Sequence, residues 1–208
     1  MKNNEDVEHR TELVLLQAHL ARDSASSMDA DCRAFCKASA LAPRLRRVAL
    51  SATGSTVYVY LELPRKPEAA EIETLARGFE QRCTWAGDVR ASRLEQVFDT
   101  PGASAAETAL FHYVVEMDPE EGWMPELSRW YDTEHMPGLA AVPGCVRASR
   151  FLNHGHGPLS LACYDLVREE TLGSPPWLAV RASAWSDIAR PHFMNTLRTM
   201  FRIPAEGA

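Results

Sequence analysis

The order of apolar and turn-forming segments runs twice along this chain, and that repeat constrains the fold more than any other feature. Leu13 to Leu20 is an apolar run suited to a buried strand. Ser26-Ser-Met-Asp-Ala starts a helix, capped by a serine or the aspartate; it runs to about Leu41, where Pro43 stops it. Arg44 to Ser51 reads as a second strand, Thr53-Gly-Ser as a tight turn, and Thr56-Val-Tyr-Val-Tyr-Leu-Glu-Leu as a third strand rich in β-formers. Pro67 opens a helix with Ile72, Leu75, Ala76 and Phe79 on one stripe, and Val89 to Phe98 closes the unit as a strand. After a small-residue linker, Thr100-Pro-Gly-Ala-Ser-Ala-Ala, the order returns: strand Ala109 to Met117, helix Trp123 to His135, strand Pro143 to Phe151, turn His154 to Pro158, strand Leu159 to Val167, a helix from Ser174 carrying Leu178, Val180 and Trp185, and strand Phe193 to Ile203.

Each half is strand–helix–strand–strand–helix–strand, and the halves align at a period of roughly 100 residues. Ala42-Pro43 matches Val142-Pro143, Glu62-Leu63 matches Asp165-Leu166, and Leu75-Ala76 matches Leu178-Ala179. This is the split βαβ, ferredoxin-like pattern of an α+β fold. A four-stranded sheet with helices on one face leaves its other face apolar, and two such sheets in one chain can bury those faces against each other. The expected organisation is a disordered leader over residues 1–10, a first repeat over 11–99, a linker over 100–107, a second repeat over 108–203 and a tail over 204–208.

Composition narrows the function. A chain of 208 residues with 46% hydrophobic content can build a real core. A net charge of -6 without a basic run argues against nucleic acid or anionic membrane as partner. No apolar run approaches the roughly 20 residues that cross a bilayer. The polar Met1-Lys-Asn-Asn-Glu-Asp start lacks a signal-peptide segment, so the cytoplasm is the expected location. The five cysteines match no zinc spacing; Cys32 and Cys36, one helical turn apart, are either a metal or redox pair or two buried thiols. Phosphate-binding glycine loops, Gly-x-Ser-x-Gly elbows and dinucleotide fingerprints are absent, so neither a nucleotide cofactor nor serine-hydrolase chemistry is expected.

The chemistry concentrates in Trp123-Met-Pro-Glu-Leu-Ser-Arg-Trp-Tyr-Asp-Thr-Glu-His135-Met-Pro137, an amphipathic helix ended by a proline. On an α-helix Tyr131 (i−4) and Asp132 (i−3) both reach the His135 ring. A carboxylate beside an imidazole fixes its tautomer and raises its pKa, which suits general acid–base work. Tyr131 can donate to an oxyanion and Trp130 can stack on a planar substrate. The alternative is a helix C-terminus where His135 caps carbonyls. His112 shares a strand face with Leu110 and Val114, and either meets the same cavity or is a satisfied core residue; His19 is analogous in the first half. Arg147 and Arg150 point to opposite faces of their strand, so one can hold a carboxylate. Tyr164 and Trp177 line the cavity or simply pack. His154-Gly-His156 lies in a turn with no third ligand nearby, so no metal is expected, and His192 sits in a loop. Aligned on the prolines, His135 falls opposite Phe35, Trp130 opposite Ala30 and Asp132 opposite Cys32, so one working pocket is expected, in the second half.

Three runs, Trp130-Tyr-Asp-Thr-Glu-His-Met-Pro137, Val142-Pro-Gly-Cys-Val-Arg-Ala-Ser-Arg-Phe151 and Leu161-Ala-Cys-Tyr-Asp-Leu166, resemble the dimeric α+β barrel superfamily, and within it EthD-like and related bacterial proteins. The resemblance covers residues 108–203; the first half matches in element order alone. It implies an intramolecular, pseudo-dimeric α+β barrel. The superfamily includes lactone isomerases, polyketide cyclases and decarboxylases, cofactor-free monooxygenases and haem enzymes, so it implies no one reaction. The expectation is a cofactor-free isomerase, cyclase or lyase acting on a cyclic or aromatic carbonyl or carboxylate metabolite in the barrel cavity. His135 is its acid/base, Asp132 the orienter and Tyr131 the oxyanion donor, while Trp130, His112, Arg147, Arg150, Tyr164 and Trp177 bind the substrate. The alternatives are a non-catalytic binding or interaction protein and a haem-binding or monooxygenase member. The partner is a small molecule; a monomer suffices, and a homodimer is compatible.

Overall fold

The structure, a computed structural model, describes residues 12–20 and 28–204. The expected leader, the start of the first helix at Ser26 and the tail beyond Pro204 lie outside the described residues. The first repeat contains β1 (Glu12–Leu20), α1 (Met28–Ala38), β2 (Arg44–Ser51), β3 (Thr56–Leu63), α2 (Ala69–Arg82) and β4 (Ala86–Pro101). The second contains β5 (Phe111–Pro119), α3 (Met124–Trp130), a π-helical turn (Tyr131–His135), α4 (Met136–Ala140), β6 (Cys145–Asn153), β7 (Ser160–Leu166), α5 (Pro175–Arg181), α6 (Ala184–Ala189) and β8 (Phe193–Arg202). The second-repeat helix read as continuous from Ser174 is broken, because the Ser183 hydroxyl accepts from the Ser186 N–H at 3.1 Å and starts α6.

The strands close into a barrel in the order β1-β3-β2-β8-β5-β7-β6-β4, every pair antiparallel. Each repeat thus forms one four-stranded sheet, and two seams join them. The β4–β6 seam runs from Leu94↔Asn153 to Pro101↔Arg147, whereas β2 meets β8 only at Leu50↔Arg202 and Ser51↔Phe201. Side-chain alternation then sorts the residues. In β3, Val57, Val59 and Leu61 face the helices of the first repeat, while Tyr58 and Tyr60 face the barrel interior. The expected linker is partly strand and is docked at Gly102–Ser104. Gly102 donates to the Val146 carbonyl, Ala103 to that of Ala140 and Ser104 to that of Cys145. A Cβ at Gly102 would stand 2.2 Å from the Cys145 carbonyl oxygen, which leaves room for glycine alone.

Apolar side chains occupy the barrel interior. Leu13, Leu15, Val114, Phe151, Leu161 and Phe201 fill it around Tyr58 and Tyr60. Two polar clusters sit among them, and each joins the repeats. Arg47 of β2 holds Asp165 of β7 bidentately, with Nη2 2.5 Å from Oδ2. The His112 Nδ1–H donates to Asp165 at 2.7 Å, and its Nε2 accepts from the Tyr60 hydroxyl at 3.0 Å. Burial and the Arg47 cation push the His112 pKa down, so the ring is neutral. Burial alone would raise the Asp165 carboxyl; Arg47 and His112 overcome it and hold the group well below the usual carboxylate range. In the second cluster, the Tyr58 hydroxyl donates to Glu116 at 2.9 Å and Gln17 Nε2 donates to the Tyr58 oxygen at 2.8 Å. These groups occupy much of the space in which the barrel cavity was expected to hold a substrate, while a cleft of about 640 Å³ reaches Gln17 and Tyr58 at one end of the barrel.

Removing one partner of a buried ion pair strands the other charge. The Arg47→Ala variant is expected to lose about 3–5 kcal/mol of unfolding free energy. Urea denaturation would read this as a lowered midpoint, and an unchanged midpoint would show that Asp165 is neutral in the folded protein.

Candidate active site in the second repeat

The helix that carries Trp130 and His135 does not end at Pro137. Proline has no N–H for the Thr133 carbonyl and its ring crowds that oxygen. The chain widens into one π turn just before it, with the Met136 N–H bonded to the Tyr131 carbonyl, and continues as α4. The reading of His135 as a C-terminal cap therefore does not hold. The wider turn also changes which residues share a face. Residues five apart now superpose, and Trp130 stacks on His135 with ring centroids 4.2 Å apart and planes at 24°. Asp132 is turned outward, is exposed, and accepts from Arg150 Nη2 at 3.1 Å instead of meeting the His135 ring. Its expected role as orienter of His135 is corrected on that geometry.

A pocket opens between this helix and the outer face of the second sheet. Trp130, Tyr131 and His135 line one side, with Tyr113 and Tyr164 on the sheet and Trp177 on α5. Arg181, Arg190 and Arg198 complete the lining with Phe193. The Tyr131 ring stacks on Phe193 with centroids 6.0 Å apart and planes at 19°, and Trp177 packs edge-on to Tyr164 at 5.2 Å. The water-accessible space is about 30 Å³, enough for a water or two but not for a metabolite, so a larger ligand enters only if lining side chains move aside. Gly138 lets α5 approach this closely, because a Cβ there would lie 2.9 Å from Val180.

Three ring nitrogens in this lining are buried and have no hydrogen-bond partner among the described residues: Trp130 Nε1, Trp177 Nε1 and His135 Nδ1. Buried polar atoms are nearly always satisfied, so these three nitrogens call for partners, and the space beside them is large enough for water. Burial, reinforced by the Arg181 and Arg190 cations, pushes the His135 pKa down to about 3. The expected rise in its pKa is thereby reversed; the ring is neutral at physiological pH. Burial keeps the Tyr131 hydroxyl protonated. The Tyr164 hydroxyl donates to Met136 Sδ at 3.1 Å.

His112 is not part of this pocket. It faces the barrel interior, on the other side of the sheet from His135, because alternation along β5 puts it with Val114 and Glu116. Arg147 pairs with Asp99 at the β4–β6 seam, with Nε 2.6 Å from Oδ1. Arg150 is buried with its guanidinium 5.2 Å from the Tyr131 ring centroid, where it supports the pocket from behind. His19 and His154 are exposed, and His154 meets Glu95 at 3.0 Å. No group of three His, Cys, Asp or Glu among the described residues could hold a metal. Cys32 and Cys36 are buried free thiols, with burial contributing to a raised pKa in both. In the first repeat the equivalent space is filled by Met28, Cys32, Phe35, Phe79 and Trp85. The residues that sequence reasoning missed are Tyr113, Phe193 and the three arginines. One signal was available: in an acidic chain, residues 175–203 carry Arg181, Arg190, Arg198 and Arg202 against Asp187 as the sole acid.

The chain superposes on an anthrone oxidase-like protein with a TM-score of 0.66 at 11% identity, covering 95% of this chain and 93% of that one. A protein from Fusobacterium nucleatum provisionally named a monooxygenase gives 0.64 at 7% identity, covering 93% and 92%. One from Lactobacillus acidophilus, with the same provisional name, gives 0.60 at 12%, covering 93% and 94%. The fold is the dimeric α+β barrel, with both halves in one chain. No family model matches the sequence, and no curated protein matches it. No helix among the described residues is long and apolar enough to cross a membrane.

The His135 shift fixes a pH dependence. The unfolded ring takes up a proton near pH 6.5, while the folded ring resists until about pH 3. Between those values the unfolded state binds the extra proton, so stability falls as the pH drops through the window. His135→Gln is expected to show a shallower loss of urea midpoint between pH 6.5 and 3.5 than the wild type. Parallel curves would show that the folded ring is protonated.

Proposed function

We propose that the second-repeat pocket is the active site of a cofactor-free enzyme that removes a proton from an electron-rich aromatic carbonyl or phenolic metabolite. The observation that carries this reading is the set of three unpartnered ring nitrogens inside an aromatic box. The two indole N–H groups and the protonated Tyr131 hydroxyl are donors suited to a developing enolate or phenolate oxygen. His135, neutral and with Nδ1 free, is the proton acceptor. A proton taken there is offset by the anion left on the substrate, whose charge also answers the Arg181 and Arg190 cations that depress the ring. The aromatic walls suit a planar ring system.

The carbanion so formed has two fates. Reprotonation at another atom gives an isomerase or cyclase. Capture by dioxygen at an activated methylene gives a carbonyl and water, with the methylene carbon supplying the electrons, so no separate reductant is needed. The structural neighbours, one anthrone oxidase-like and others provisionally named monooxygenases, favour the oxygen-dependent fate. The small cavity favours a second reading, a protein that binds its ligand without turnover.

A panel of anthrone-like and naphthol-like compounds would separate these readings by product analysis and oxygen consumption. The expected result is turnover with oxygen uptake, reduced at least about 100-fold in His135→Ala, in line with loss of a general base. Product without oxygen uptake would assign the isomerase or cyclase fate. Binding without product would assign the binding protein. Undiminished turnover in His135→Ala would remove His135 from the mechanism.

A further inference from the structure

We propose that Arg181, Arg190 and Arg198 form an anion-recognition site at the pocket, and that the ligand is an aromatic acid whose carboxylate they hold. This rests on the reading of the aromatic box as a ligand site. The three side chains come from separate elements: α5, the turn after α6, and β8. All three line the same pocket as Trp130, Trp177 and His135. None has an ion-pair or hydrogen-bond partner among the described residues. The acid that bears on Arg190 is Asp187 of α6, which is exposed and forms no ion pair with it. The pocket lining contains no carboxylate.

Three cations, two half-buried and Arg198 exposed, gathered without a paired carboxylate repel one another. Burial and the charges of Arg181 and Arg198 hold the Arg190 guanidinium below its usual value. A protein ordinarily pairs or disperses such groups; in this chain Arg147 pairs with Asp99 and Arg65 with Glu71. Guanidinium groups bind carboxylates through paired, charge-assisted hydrogen bonds, and fixed cations at a partly desolvated mouth strengthen that attraction. The arrangement therefore suits a molecule with an aromatic body for the box and an acid group for the arginines. The arginines also select against neutral analogues, which would leave the cations unanswered.

Isothermal titration with 1-naphthol and 1-hydroxy-2-naphthoate tests this, because the two differ by the carboxylate. The wild type is expected to bind the acid about tenfold or more tighter than the phenol, the size of one charge-assisted interaction. Arg190→Gln and Arg198→Gln should each shrink that ratio by weakening the acid more than 1-naphthol, while Arg190→Lys retains part of it. Equal affinity for the two compounds in the wild type overturns the arginine site and leaves the aromatic pocket standing. A preference for the acid that both glutamine variants keep also overturns it, since the carboxylate then binds elsewhere. If neither compound binds, both the pocket and the arginine site fall. If Trp130→Phe and His135→Ala bind both compounds as tightly as the wild type while the arginine-dependent preference survives, the anion site stands and the aromatic-box reading fails.

Discussion

The burial of two apolar sheet faces against each other is the constraint on which this structure depends. A βαββαβ unit covers one face of its sheet with helices and leaves the other bare. Here both units lie in one chain, and their bare faces meet around Leu13, Leu15, Val114, Leu161 and Phe201. Because that interior is closed, its polar groups must satisfy one another. Arg47 and Tyr60 from the first repeat meet Asp165 and His112 from the second, and Tyr58 meets Glu116 in the same way. Each cluster is complete only when the repeats are in register, so the polar interior selects the pairing that the apolar interior drives.

With the barrel interior occupied by side chains, the proposed site lies on the outer face of the second sheet. The same alternation that sends His112 inward sends Tyr113 outward, beneath the helix that carries His135. The two repeats then diverge at equivalent places. The first packs Phe35, Phe79 and Trp85 into the space beneath its helices. The second places aromatic residues with polar nitrogens there and leaves those nitrogens without partners.

The π turn is the local device that makes the second site. It tolerates Pro137 without ending the helix, superposes Trp130 on His135 and turns Asp132 outward to Arg150. Arg150 in turn lies against Tyr131, so the acid expected to orient His135 instead anchors the support behind the aromatic wall. His135 is left with burial and nearby cations as its environment, and these make it neutral rather than charged.

The sequence by itself determined the element order, the duplication and the two-sheet architecture, because strand alternation, helix stripes and proline stops are local signals. Arg44–Ser51 and Thr56–Leu63 were legible to the residue. It also picked out Trp130, Tyr131, His135, Tyr164 and Trp177, which the structure brings to one pocket. It misjudged Asp132 because α-helical spacing was assumed across a turn that is not α-helical. It joined His112 to His135 because two histidines near one sheet do not say which face each takes, and only the barrel's closure settles that. Arg181, Arg190 and Arg198 form no basic run, are far apart in sequence and belong to three elements. Their convergence depends on how α5, the turn after α6 and β8 pack, which only tertiary structure decides.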